Sequence, residues 1–103
     1  MLERATMIDV SIAMHADGLT DELLTQILDS FSGLESVCPD MLEWSVAATI
    51  GTASIVFDIT IDSDQPNHSI TRATEIVWLA VKTIGGEFTD ATTEKVSAEL
   101  VNV

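Results

Sequence analysis

The sequence has few of the residues on which nucleic-acid and membrane recognition depend. Its 103 residues include only 4 lysines and arginines, against 17 aspartates and glutamates, which leaves a formal net charge of −13. A protein that binds nucleic acid needs a cationic surface to displace phosphate counterions, and docking on anionic lipid needs one as well. The shortage of cations therefore argues against a nucleic-acid partner and against a membrane partner.

Other absences narrow the class of protein further. The single cysteine, Cys38, cannot form an internal disulfide, so we expect a reducing, cytoplasmic environment. Uninterrupted apolar runs stay well below the roughly 20 residues of a membrane span. The first six residues, MLERAT, lack a cationic leader followed by an apolar run, so we expect no signal peptide.

Recognisable catalytic and metal-binding motifs are also missing. The sequence has no phosphate loop, no glycine-rich dinucleotide motif and no cysteine or histidine spacing typical of a metal site. We therefore predict no catalytic residues, no metal site and no cofactor.

What the sequence does have is apolar residues, 47% of the chain, placed at regular intervals. The length fits one domain spanning residues 1–103. Four segments alternate apolar and polar residues with the two-residue period of a half-buried strand, namely 7–15, 42–50, 53–62 and 95–103. We expect these inward-facing residues: Ile8, Val10, Ile12, Met14, Leu42, Trp44, Val46, Ala48, Ile50, Ala53, Ile55, Phe57, Ile59, Ile61, Val96, Ala98 and Leu100.

Two further segments carry apolar residues at helical spacing. The first follows Thr20, a good N-cap, and should end at Gly33 as the residue just past the helix. The second should run from about Ser69 to Ile84 and end at a pair of glycines, residues 85 and 86. The expected buried positions are Leu23, Leu24, Ile27, Leu28, Phe31, Ile70, Ala73, Val77, Ala80, Val81 and Ile84.

The second and third strands are close enough in sequence to form a hairpin. Gly51 and Thr52 predict a tight two-residue turn of the type that favours glycine first. Pairing Ile50 with Ala53 places the apolar residues of both strands on the same face, so the register is self-consistent.

The predicted order is therefore strand, helix, strand, strand, helix, strand. Because every strand is apolar on one face and each helix has one apolar stripe, the simplest assembly is a four-stranded antiparallel sheet with both helices on one face. With right-handed crossovers this is the ferredoxin-like βαββαβ sandwich of the α+β class, in which the first and third strands are central. Fold alone does not specify function.

Isolated residues that could support chemistry are few. His15 ends the first strand on the polar face and could act as a general base, although a solvated histidine at the rim is the simpler interpretation. Cys38 precedes a proline and has no cation nearby in the sequence that would lower the pKa of its thiol, which favours a buried, unreactive cysteine. The segment Ala16-Asp17-Gly18-Leu19 resembles the turn before the helix in ACT domains, and that resemblance implies a regulatory domain that binds a small ligand.

One candidate surface is the open face of the sheet, opposite the helices. Five acidic residues should gather at one end of this face, and we name them the acidic cluster: Asp9, Glu43, Asp58, Asp62 and Glu99. Like charges this close disfavour joint ionisation, so the cluster could attract a cation or a basic protein partner, or it could simply be solvated.

Two apolar surfaces could support association with another protein. At the other end of the open face, Ala13, Ala47 and Val56 are small enough for a second sheet to approach closely. On the second helix, Trp78 lies beside the apolar stripe and Leu79 lies on the solvent side, among Arg72, Glu75 and Lys82.

The sequence therefore favours a small, acidic, non-catalytic protein-association module that acts as a homodimer. A second hypothesis is a cofactorless enzyme of the dimeric ferredoxin-like kind, whose pocket would lie between sheet and helices with His15 or Asp9 as general base. A third is a regulatory domain of the ACT-like kind. A pocket lined by converging polar side chains would favour the enzyme, and a filled core would favour association.

Overall fold

The computed structural model describes residues 7–82 and 92–101. The elements follow the predicted order, and their bounds are β1 Met7–His15, α1 Asp21–Leu34, β2 Met41–Thr49, β3 Ser54–Asp62, α2 Pro66–Lys82 and β4 Thr92–Val101. A single 3-10 turn, Ile50–Thr52, connects β2 to β3. The predictions for Ile84, for the glycines at 85 and 86 and for the last two residues fall outside the described ranges.

The four strands form one sheet in the order β2-β3-β1-β4, so β1 and β3 are central as predicted. All three strand pairs are antiparallel. Alternate residues of β1 and β3 are buried, because those side chains lie under the two helices while their neighbours face away. The structure confirms the ferredoxin-like α+β fold.

The core fills the layer between the sheet and the helices. Phe57, at the middle of β3, is fully buried and stacks on Phe31 of α1, with ring centroids 5.6 Å apart. Phe31 also stacks on Trp44 of β2, at 5.2 Å. The Trp44 indole completes its contacts by donating a 2.6 Å hydrogen bond from Nε1 to Glu35 Oε1. This aromatic stack fixes α1 against the β2–β3 hairpin.

The start of α1 follows from its sequence, but its end does not. The Thr20 side chain accepts a hydrogen bond from the Leu23 backbone N–H, as expected of an N-cap. The prediction that Gly33 lies just past the helix is wrong, since α1 continues through Leu34 and Glu35 is the C-cap. Backbone bonding continues beyond the glycine, where the Glu35 N–H donates to the Phe31 carbonyl.

The second helix begins earlier than predicted, at Pro66 rather than near Ser69. Proline suits the first turn of a helix because its fixed φ is helical and its missing N–H would have no partner there. Ser69 is buried, and its hydroxyl donates to the Gln65 carbonyl. Ile76 is also fully buried, although we did not expect it at the core.

Both ends of β2 depart from the predicted pattern. The pairing with β3 shifts between Met41 and Glu43, so the bulge exposes 43% of Leu42 and buries Met41 in its place. At the hairpin, the 3-10 turn replaces the two-residue turn and Ala53 takes the left-handed conformation, with φ of 53°. Ile50 is therefore 40% exposed, while the predicted register persists in the Ala48–Ile55 and Val46–Phe57 pairs.

Some apolar side chains on the core side are less covered than we predicted. β4 begins at Thr92 instead of Lys95, and among the described strands it is an edge strand that pairs with β1. Val96 pairs with Ile12, and Leu100 pairs with Ile8, but these two β4 side chains are 38% and 56% exposed. The Leu28 side chain, on α1, is 37% exposed.

Arg72 is not the solvent-facing residue that the helical spacing suggested. Its guanidinium lies 2.6 Å from Asp40 Oδ2 through Nε and 3.2 Å from Asp40 Oδ1 through Nη2. The hydrogen bond from Arg72 is the main reason that the pKa of the Asp40 carboxyl is lowered from its usual 3.8. This paired, half-buried contact ties α2 to the loop that precedes β2.

Candidate functional site

The open face of the sheet has a polarity gradient along its strands. Cross-strand pairing aligns the outward residues into rows that run across the sheet in the order β2, β3, β1, β4. Ala47, Val56 and Ala13 are neighbours in one row, because Val56 pairs with Ala47 on one side and with Ala13 on the other. We name these three residues the apolar row. Lys95 pairs with Ala13 and extends that row onto the edge strand.

The acidic cluster lies mainly toward the other end of the same face. Asp9 pairs with Glu99 on one side and with Thr60 on the other, and Thr60 in turn pairs with Glu43. Asp58 lies one row nearer the apolar row, between Ser11 and Ser45. Thus four members of the cluster occupy adjacent rows.

Asp62 is the outlying member of the acidic cluster. It pairs with Met7 at the end of the sheet and is exposed. It is also not among the residues whose charge raises the pKa of Asp9. The pairing therefore brings Asp9, Glu43, Asp58 and Glu99 together and leaves Asp62 at the margin.

The neighbouring carboxylates change the pKa of Asp9. Partial burial is the largest cause that raises the pKa of its carboxyl above the ordinary 3.8, followed by the charges of Asp58, Glu99 and Glu43. The folded chain therefore binds this proton more readily than the unfolded chain does. The ionised carboxylate costs stability above its folded-state pKa, and the cost disappears as the pH falls towards 3.8.

We expect Asp9→Asn to raise the free energy of unfolding at pH 7 by about 0.2–1 kcal/mol, the size of a directly opposed like-charge pair. Urea unfolding at one fixed protein concentration measures the change. The gain should shrink as the pH is lowered towards 3.8, where the parental carboxyl becomes protonated. Asp64→Asn is the matched control, because it removes a carboxylate from an exposed loop. An equal gain from both substitutions would contradict a local effect at Asp9.

We also expect the thermal midpoint to rise with added sodium chloride at neutral pH. A net charge of −13 with 4 cationic side chains leaves most carboxylates without an ion-pair partner, so screening relieves repulsion. Each kcal/mol relieved should raise the midpoint by about 4–8 °C for a chain of this size. A flat or falling midpoint across a salt series would mean that the carboxylates are individually compensated.

The open face carries a shallow depression beside the acidic cluster. It has a volume of about 320 Å³, and its lining residues are Asp9, Glu43, Trp44, Ser45, Asp58 and Thr60. Within residues 7–82 and 92–101, no three His, Cys, Asp or Glu side chains are positioned to hold a metal ion. In the same ranges, neither helix has the length and hydrophobicity needed to cross a membrane.

His15 is more constrained than a solvated rim residue. Its Nε2 lies 2.7 Å from Asp17 Oδ1, and its Nδ1 lies 3.8 Å from Glu94 Oε1. The β1–β4 pairing shifts its register between Ala13 and Met14, beside His15. The Glu94 contact could not be predicted from the sequence, because the irregularity in the β1–β4 pairing has no local sequence signature.

The remaining candidate residues lie away from the open face. Trp78 and Leu79 are 42% and 45% exposed on α2, so both contribute apolar surface beside the solvent. Cys38 is free and 2% exposed, which confirms the predicted burial. The Trp44–Glu35 hydrogen bond was not predicted, since it joins side chains nine residues apart on different elements.

Comparison with known proteins detects likeness in structure but not in sequence. No protein-family model matches the chain. A search of curated proteins likewise finds no match.

Solved structures with a similar backbone include both enzymes and proteins of unknown function. The hydroxynitrile lyase of Passiflora edulis aligns with a TM-score of 0.54 at 12% identity, over 94% of each chain. A dimeric ferredoxin-like protein of unknown function from Thermobifida fusca aligns with a TM-score of 0.54 at 10% identity, over 100% of this chain and 96% of that one.

A third similar structure is a dimeric protein of unknown function with a ferredoxin-like fold from Bacteroides fragilis. It aligns with a TM-score of 0.53 at 15% identity, over 94% of this chain and 96% of that one. Likeness at this level of identity demonstrates a shared fold alone. The chain therefore has the ferredoxin-like fold, which two dimeric proteins of unknown function also have.

Proposed function

We propose that the chain is a non-catalytic protein-association module of the cytoplasm and that it acts as a homodimer through the open face of its sheet. The observation that carries the proposal is the apolar row. Ala47, Val56 and Ala13 lie side by side on the face of the sheet that neither α1 nor α2 covers. Their side chains are short, which allows the backbone of a second sheet to approach closely.

The size of the open face suits this partner. Strands of about 9 residues, spaced about 4.8 Å apart with a rise of about 3.3 Å per residue, give a face of roughly 20 by 30 Å. That is on the order of 600 Å² in projection, and side-chain relief raises the accessible area above it. A standard interface buries about 800 Å² per partner. Two of the similar structures, at 10% and 15% identity, are described as dimeric, which supports self-association.

The packing between sheet and helices favours association over the enzyme hypothesis. A pocket enzyme needs converging polar groups in a cavity, but the buried side chains of that layer are apolar. Among the described residues, Ser69 is the one buried polar residue, and its hydroxyl is satisfied within its own helix turn. His15 as a general base is also disfavoured, because both ring nitrogens face carboxylates rather than an open cavity.

Sedimentation equilibrium of the parent chain at neutral pH and about 0.15 M salt tests the proposal. We expect a mass close to twice the 11.1 kDa of one chain. A mass of 11.1 kDa at every concentration up to the millimolar range would contradict a homodimer.

A further inference from the structure

We propose that the open face is a charge-gated self-association surface, on which the negative charges of Asp9 and Asp58 weaken the dimer, so that protons and added salt strengthen it. This inference rests on the proposed function, because it concerns the regulation of that same face. The partner is a second copy of this chain.

The position of the two carboxylates in the sheet carries the inference. Asp9 lies on β1 and Asp58 lies on β3, which are the two central strands. Asp58 is two residues from Val56 on the same strand and the same face, so it lies in the row next to the apolar row. An interface of standard size needs nearly the whole face, as the projected area above indicates. Two sheets centred on the apolar row therefore cover at least Asp58 and remove water from it.

The charges that surround these two groups do not compensate them. The charged outward groups around them are Glu43 on β2, Asp62 on β3, and Glu99 and Lys95 on β4. His15 lies at the far end of β1, where its ring nitrogens are 2.7 Å from Asp17 Oδ1 and 3.8 Å from Glu94 Oε1. Lys95 is the one lysine or arginine on this face within the described residues, and it pairs with Ala13, four positions along β1 from Asp9.

Desolvation adds to the repulsion between like charges. Asp9 is already half-buried in the single chain, and burial raises the pKa of its carboxyl. A second sheet about 10 Å away removes more water from the same groups and adds a second set of like charges. The dimer therefore binds protons more tightly than two separate chains, and by linkage protons strengthen the dimer.

The test measures the dimer dissociation constant by sedimentation at several pH values between 7 and 4.5 and at low and high salt. For the parent we expect the constant to fall by about tenfold or more between pH 7 and 4.5, and to fall with added salt at pH 7. The double variant Asp9→Asn/Asp58→Asn should dimerise more tightly than the parent at pH 7 and should lose most of both dependences.

A matched control separates this local effect from the fall in total charge. Asp21→Asn/Asp29→Asn also removes two carboxylates, but from exposed positions on α1, away from the open face. It should keep the parental dependence on pH and salt. Circular dichroism of each variant establishes that it is folded.

The outcomes distinguish this inference from the proposal on which it rests. A parental dimer whose strength is independent of pH, or a double variant with the parental pH dependence, overturns the charge gate and leaves the homodimer standing. Equal effects of the two double variants also overturn the charge gate, because the dependence of the dissociation constant on pH and salt would then come from the net charge of the chain. A parent that stays monomeric at every pH and salt concentration contradicts the homodimer itself.

Discussion

Phe57→Ala is expected to lower the free energy of unfolding by about 3–5 kcal/mol, the cost of leaving a large cavity in a packed core. Phe57 is fully buried at the centre of β3, between the paired residues Ile12 and Val46. Its ring also stacks on Phe31, so the substitution removes an aromatic contact between the hairpin and α1. Urea unfolding of parent and variant at equal protein concentration gives the difference.

Val37→Ala is the control for this measurement, because Val37 is 66% exposed and should change stability by less than about 0.5 kcal/mol. A loss below about 1 kcal/mol for Phe57→Ala would place the ring outside the core and contradict the sheet assignment. Should that variant fail to fold, Phe57→Leu, which keeps most of the apolar volume, should fold with a smaller but measurable loss.

The fold was predictable because each element satisfies its own local rule. The strict alternation of β1 and β3 set which residues face the helices, and the burial of Val10 and Ile59 follows it. Thr20 marked the start of α1 because a hydroxyl at the N-cap satisfies a free backbone donor. The element order then left few topologies with short, right-handed connections.

The failures of prediction occur where tertiary pairing overrides the local pattern. The alternation of β2 begins at Leu42, but the bulge at the start of the β2–β3 pairing shifts the first core residue to Met41. Gly51 suggested a two-residue turn, yet the chain forms a longer 3-10 turn with Ala53 in the left-handed conformation. Arg72 looked solvent-exposed by helical spacing alone, because its partner Asp40 is 32 residues away.

The sequence predicts which residues lie on the open face, but it does not predict which of them are cross-strand neighbours. Alternation assigns Ala13, Ala47 and Val56 to that face, whereas only the register makes them a continuous row. Likewise, the opposition of Asp9 to Glu99 depends on β4 pairing, which includes a register shift near His15. Use of this face for association stays a prediction.

Val56→Arg is expected to weaken the homodimer by about 100-fold or more while leaving the single chain folded, and Ala47→Arg is expected to act in the same direction. Val56 is at the centre of the apolar row and half-buried on the open face. Two sheets pack only about 10 Å apart, which leaves little room for two long cationic side chains. Burial of each unpaired charge costs several kcal/mol, and 1.4 kcal/mol corresponds to a factor of ten in affinity.

Nearby carboxylates could pair with an introduced arginine, so a variant of opposite charge is needed. Val56→Glu places a carboxylate two residues from Asp58 and should weaken the dimer at least as strongly at pH 7. Loss of the dimer in both variants would assign the effect to obstruction of the face rather than to one particular ion pair. If neither Val56→Arg nor Val56→Glu changed the dimer dissociation constant, an interface at the apolar row would be contradicted.

Sedimentation velocity of the parent, Val56→Arg and Leu79→Arg, run side by side at neutral pH, tests the use of the open face most directly. Leu79 is 45% exposed on α2, so Leu79→Arg adds the same charge to the opposite side of the molecule. We predict that the parent and Leu79→Arg sediment as dimers and that Val56→Arg sediments as a folded monomer. The account would be contradicted if Leu79→Arg became monomeric while Val56→Arg stayed dimeric, because the interface would then be the Trp78–Leu79 surface of α2.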